Sequence, residues 1–145
     1  LVNAPDVMIS SACCPIESLA EYQDPNVVKV VRNQRRLAEY FSRAPIPWIR
    51  DEGSSDRSGM RWSDAYRHLG IYAYRVGYLT RFCELPPAPT ELTEKLEQLR
   101  ALWYGDAIMV CDAKEIPGPG VDTAQDLRRV VEYFESLPTQ IDKND

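Results

Sequence analysis

The run His68-Leu69-Gly70-Ile71-Tyr72-Ala73-Tyr74-Arg75 reads as a buried strand, yet it carries an imidazole, two phenols and a guanidinium. Side chains alternate along an extended chain, so His68, Tyr72 and Tyr74 share one face and Arg75 takes the other. A histidine near a strand start can also be a satisfied structural residue. Asp122 follows the stiff turn Pro117-Gly118-Pro119-Gly120 and precedes a helix. A carboxylate held by rigid backbone suits a hard cation. It can equally cap the helix, although Thr123 already fills that place. Glu97 and Gln98 sit between the apolar Leu96 and Leu99, and Arg43 and Arg50 flank Pro45 and Pro47. Taken alone, the first pair is a solvated helix flank and the second is surface charge.

These side chains need a scaffold. The 145 residues are one domain's worth, with 44% apolar and 10% aromatic residues, so a core can form. The net charge of −5 comes with no Lys/Arg-rich run. That argues against a nucleic-acid partner but not against small anions, for which a few placed arginines suffice. No apolar run approaches the ~20 residues of a membrane span. No signal-peptide pattern opens the chain, and the expected location is the cytoplasm. The cysteines at 13, 14, 83 and 111 form no CxxC pair, so reduced, mostly buried thiols are expected. A single histidine excludes a multi-His metal site.

Strands are expected over Val7–Ile16, Val27–Arg32, Leu37–Phe41, Tyr66–Arg75 and Ala107–Cys111. The second and third form a hairpin around Asn33-Gln34. Pro45 and Pro47 keep Ala44–Trp48 extended, and Asp51–Gly59 is a polar loop. A short helix is expected over Tyr78–Glu84. The longest helix runs Glu91–Tyr104, capped by Thr90, with Leu92, Leu96, Leu99 and Trp103 as one apolar stripe. Glu91 and Lys95 pair on its outside, and Gly105 ends it. Thr123 and Asp126 form a capping box before a last helix that ends near Leu137.

Three blocks now fall into order: His68–Arg75, Glu94-Lys95-Leu96-Glu97-Gln98-Leu99-Arg100-Ala101-Leu102-Trp103-Tyr104-Gly105, and Pro117-Gly118-Pro119-Gly120-Val121-Asp122-Thr123. Together they closely resemble the C-terminal half of the 3-deoxy-manno-octulosonate cytidylyltransferases (CMP-Kdo synthetases), from near Val27 to near Val131. The resemblance implies an α/β fold, a nucleotide-diphospho-sugar transferase-like mixed sheet flanked by helices. It implies transfer of a cytidylyl group from CTP to 3-deoxy-D-manno-octulosonate (Kdo), giving CMP-Kdo and pyrophosphate for lipopolysaccharide synthesis. His68, Tyr72, Glu97 and Gln98 would line the sugar-acid pocket, since a polyol needs paired donors and acceptors. Arg43 and Arg50, in Phe41-Ser42-Arg43-Ala44-Pro45-Ile46-Pro47-Trp48-Ile49-Arg50, would meet the sugar, where a forked guanidinium suits its carboxylate. Asp122 would bind magnesium. The family pairs as homodimers through this half, and Trp62, Tyr66, Trp103 and Tyr104 supply aromatic surface for that.

The chain also departs from the family pattern. The family's phosphate loop and its Gly-Asp-Glu-Pro segment, which holds a partner metal ligand, have no counterpart here. No glycine precedes Gly53. Residues 1–145 are therefore expected to be a single partial nucleotidyltransferase domain, with the N-terminal half either absent or unresolved and a seam or deletion near residues 3–4. The alternative is a non-catalytic fragment that binds the sugar acid and dimerises.

Overall fold

Alternation of apolar and polar residues builds the strands, and the computed structural model arranges them as a mixed sheet. The structure describes residues 1, 4–49, 65–115 and 124–136. Residues 1–114 form one compact unit and 115–145 a second. The first unit contains β1 (Ile9–Pro15), α1 (Leu19–Gln23), β2 (Lys29–Arg32), β3 (Ala38–Ser42), β4 (Tyr66–Tyr74), α2 (Val76–Glu84), α3 (Pro89–Glu94), α4 (Gln98–Trp103) and β5 (Ile108–Asp112). The second contains α5 (Ala124–Ser136). Asn3, on one side of the expected seam near residues 3–4, lies outside the described residues, as do Arg50, Trp62, Asp122 and Thr123.

The sheet order is β3-β2-β4-β1-β5. β1 and β5 run parallel, and the other neighbours run antiparallel. Ile9 and Cys13 of β1 lie in register with Ile108 and Asp112 of β5. Ile9, Cys13, Ile108 and Val110 join Val30 and Phe41 in one core with Tyr78 and Phe82 of α2 and with Leu96 and Leu99. Helices therefore cover that face. The hairpin tip reaches the far edge of the sheet: Leu37 bridges Met109, and Val110 N–H donates to Arg36 O at 2.8 Å.

Two local features govern the site. The first is a bulge. Ser11 pairs with Tyr72 while Ala12 pairs with Leu69, so Gly70 and Ile71 are extra residues on β4. Two extra residues preserve the alternation, and His68, Tyr72 and Tyr74 still face the helices. The second is a break in the expected Glu91–Tyr104 helix. Lys95 adopts φ 56°, ψ 45°, which separates α3 from α4. Glu91 does not pair outward with Lys95. It turns inward to a two-pronged pair with Arg100, at 2.5 and 2.8 Å. In a continuous helix those residues would sit on opposite faces about 13 Å apart, so the pair requires the break. The apolar stripe breaks with it: Leu96 and Leu99 are buried, whereas Leu92 and Trp103 are each 54% exposed.

Other boundaries differ less. Pro89 starts α3 in place of a Thr90 cap, its fixed φ suiting a first turn, and Glu91 Oε2 accepts the Ala88 N–H at 3.0 Å. Ser18 caps α1, a helix not expected from the sequence, by accepting from Glu21 N–H. α2 begins at Val76 rather than Tyr78. Cys13 and Cys14 are buried, but Cys83 and Cys111 are exposed, and all four are free thiols. In the second unit, α5 exposes Leu127, Val131 and Phe134 along one side.

Candidate functional site

The bulge turns a strand into a cluster of rings. In a regular strand, residues four apart lie about 13 Å from each other and cannot touch. Here the His68 and Tyr72 ring centroids are 5.5 Å apart, and Tyr74 follows at 5.9 Å. Phe41 meets the far side of His68 edge-on at 4.8 Å. Ser11 holds the arrangement. Its Oγ lies 3.1 Å from Leu69 O and 2.9 Å from Ile71 O, the two carbonyls that flank Gly70, and donates its one hydrogen between them. It accepts from His68 Nε2 at 2.7 Å. That places the imidazole proton on Nε2.

Burial sets the charge states. It pushes the His68 imidazole down to about 4, so the ring is neutral at physiological pH. It holds the Tyr72 phenol well above its usual range, helped by Tyr74 and by the Glu97 carboxylate. Tyr74 is raised by burial and then by Glu97. Both phenols therefore keep their protons as donors. Glu97 is the cap residue of α4 and Gln98 its first residue; Gln98 is buried and Glu97 exposed. Tyr72 and Tyr74 pack against the same core as Leu96 and Leu99, the residues on either side of Glu97 and Gln98, so the start of α4 lies at the β4 ring cluster.

Arg43 has a different setting. Its Nε donates to Glu94 O at 2.8 Å and its Nη1 to Pro25 O at 3.0 Å. Arg50 and Asp122 lie outside the described residues. Among the described residues no group of three or more His, Cys, Asp or Glu side chains could hold a metal ion. No helix there is long and apolar enough to cross a membrane. Of the aromatic surface, Trp103 and Tyr104 are exposed, while Tyr66 is half-buried with the Arg32 guanidinium 4.2 Å from its ring centroid.

The sheet face thus presents neutral donors in one core with the start of α4, which bears a carboxylate and an amide. The family model described as cytidylyltransferase matches residues 1–116. The chain belongs to the cytidylyltransferase family. It is 50% identical over 133 residues to the 3-deoxy-manno-octulosonate cytidylyltransferase of Nitrosococcus oceani, covering 90% of this chain and 51% of that protein. It is 49% identical over 133 residues to the enzyme of that name from Halorhodospira halophila, covering 91% and 52%. A solved CMP:2-keto-3-deoxy-manno-octonic acid synthetase complexed with CTP superposes with a TM-score of 0.77 at 36% identity, covering 92% of this chain and 52% of that one. The chain thus spans about half the length of the curated relatives it matches. The mixed sheet with packed helices expected from the sequence is the architecture observed.

Within this cytidylyltransferase framework, sequence reasoning missed Ser11, Ser42 and Glu94. Serine carries no pattern signal. Gly70 was the one local sign of a bulge.

Proposed function

We propose that this chain forms the sugar-acid side of an enzyme that transfers a cytidylyl group from CTP to Kdo, giving CMP-Kdo and pyrophosphate. The observation that carries the reading is the packing of the His68, Tyr72 and Tyr74 cluster against the core that holds Leu96 and Leu99, which bracket Glu97 and Gln98 at the start of α4. The names of the half-matching relatives support it. In the reaction, the sugar's anomeric oxygen bonds to the α-phosphorus of CTP, loses its proton, and the bond to pyrophosphate breaks. Such a site works by positioning and by stabilising charge. Protonated phenols donate to sugar oxygens, the Glu97 carboxylate accepts from sugar hydroxyls, and the Gln98 amide does both. His68 stays neutral and orients the pocket wall through Ser11. Because Arg43 spends two donors on backbone carbonyls, we assign the sugar carboxylate to Arg50.

Magnesium belongs to this reading, with Asp122 as one ligand; it would offset charge on the phosphate oxygens. Among the described residues no group of three or more His, Cys, Asp or Glu side chains could hold that ion. The reading includes a homodimer, supported by exposed Trp103 and Tyr104, and a cytoplasmic location, where CTP is available. The second reading is a sugar-acid-binding and pairing module without turnover. It is favoured by the lack of any glycine before Gly53, which leaves those residues without a Gly-rich phosphate cradle.

The test is pyrophosphate release by the full-length protein with CTP, Kdo and magnesium. Glu97→Ala should raise the KM for Kdo about tenfold or more, as loss of charge-assisted hydrogen bonds implies, and leave the KM for CTP near its starting value. Equal effects on both substrates would remove Glu97 from the sugar pocket. Release dependent on CTP but indifferent to Kdo would overturn the reading.

A further inference from the structure

We propose that Ser42, Arg43 and Glu94 form a latch that positions Glu97 and Gln98, making them positioning residues for sugar-acid recognition. The inference rests on the reading of Glu97 and Gln98 as ligand contacts.

The break at Lys95 is the joint that aims the mouth of α4. Glu94 is the last residue of α3, and Glu97 lies three positions beyond it. Left alone, that joint is soft. A helix end has unsatisfied carbonyls, and a left-handed lysine has no intrinsic preference for its conformation. Glu94 is instead gripped at both ends by the terminus of β3. Ser42 Oγ donates to Glu94 Oε1 at 2.7 Å and Arg43 N–H to Glu94 Oε2 at 3.0 Å. Arg43 Nε donates to the Glu94 carbonyl at 2.8 Å. The carboxylate and the carbonyl of one residue are thus fixed by the last residue of β3 and the residue that follows it.

The sheet side of the latch is itself anchored. Lys29 is fully buried. Its Nζ donates to Arg43 O at 2.6 Å, to Val27 O at 2.6 Å and to Asp24 O at 2.8 Å. A buried ammonium is stable only with its donors satisfied, and here each satisfied donor immobilises backbone beside Arg43. Arg43 Nη1 ties in Pro25 O as well. The chain of contacts runs from Lys29 through Arg43 to Glu94 and ends one turn from Glu97 and Gln98, which lie between two residues packed in one core with Tyr72 and Tyr74. Ligand groups held this way lose little freedom on binding, and small misplacements of such groups are costly.

The experiment uses the full-length protein with Glu94→Ala and, as a milder change, Ser42→Ala. Both remove latch contacts, and neither touches Glu97 or Gln98. Expected is a rise in the KM for Kdo of about tenfold for Glu94→Ala and less for Ser42→Ala, with the KM for CTP within about twofold. Backbone amides 95–99 should also exchange hydrogen faster, measured without any turnover. If either variant folds, lowers the melting temperature and leaves both the KM for Kdo and the exchange at 95–99 unchanged, the latch is only a stability element and the proposal falls. If the wild-type protein shows no dependence on Kdo, the functional reading falls instead, while faster exchange at 95–99 would still support the mechanical link.

Discussion

His68 offers a measurement that can be worked out in advance. It is the one histidine of the chain, and burial holds its imidazole at about 4 in the folded state. In the unfolded chain the same group titrates near 6.5. Between those values the unfolded state binds a proton that the native state does not, so stability rises with pH and is lost on acidification through that window. The loss approaches about 1.4 kcal/mol per pH unit below pH 6.5, and going from pH 7.5 to pH 5 it sums to about 2 kcal/mol. Moving the native value by one unit either way changes the pH 5 figure by only a few tenths. Carboxylates add their own slope, chiefly below pH 5, so the quantity to read is a difference. His68→Gln keeps an N–H for Ser11 Oγ but cannot titrate. Urea unfolding of wild type and His68→Gln at pH 7.5 and pH 5 should show wild type losing about 2 kcal/mol more than the variant. In parallel, the single imidazole Cε1 proton resonance should stay at its neutral shift down to pH 5. A folded-state midpoint near 6.5, or parallel losses in the two proteins, would refute burial as the controlling influence.

Two further outcomes follow from contacts already described. Ser11→Ala strips an acceptor from the His68 N–H and a donor from Leu69 O and Ile71 O, and should cost about 1–3 kcal/mol by urea unfolding. It should also broaden the His68 ring resonance; a sharp, unshifted ring would show that Ser11 is not the pin. Glu91→Gln breaks a nearly buried pair and leaves the Arg100 guanidinium without its anion, at about 3 kcal/mol. Its Glu91 carboxyl is held below the usual range mainly by that Arg100 bond, so this stability is present above the ordinary Glu pKa and fades as pH falls through the depressed value. A loss under 1 kcal/mol would place the pair among weak surface bridges.

The strands were legible because their apolar runs are bounded by Pro, Gly and Asx residues, and β2, β3, β4 and β5 fall close to the expected spans. The shared face of His68, Tyr72 and Tyr74 was also legible, since alternation is local. Their contact was not, because it depends on two extra residues opposite Ser11 and Ala12, and register belongs to a pair of strands. The break at Lys95 was hidden for a similar reason. No Gly or Pro marks it, and heptad-like spacing from Leu92 to Trp103 argues for continuity. The deciding term is the Glu91–Arg100 pair, which only a folded chain can weigh. Lys29 reads as one polar residue in Val27–Arg32 and gives no sign that its ammonium is sealed among three carbonyls.

The bulge constrains how this strand can change length. Its unit of insertion or deletion is a dipeptide. Losing Gly70 alone would exchange inside for outside beyond that point, turning Tyr72 and Tyr74 toward solvent and driving Ile71 and Ala73 inward. Losing Gly70 and Ile71 together would keep every face but leave the flanking carbonyls no reason to converge on Ser11. Ser11 and the extra dipeptide thus behave as one inherited part, and anyone grafting this ring cluster onto another sheet must carry both strands' halves of it.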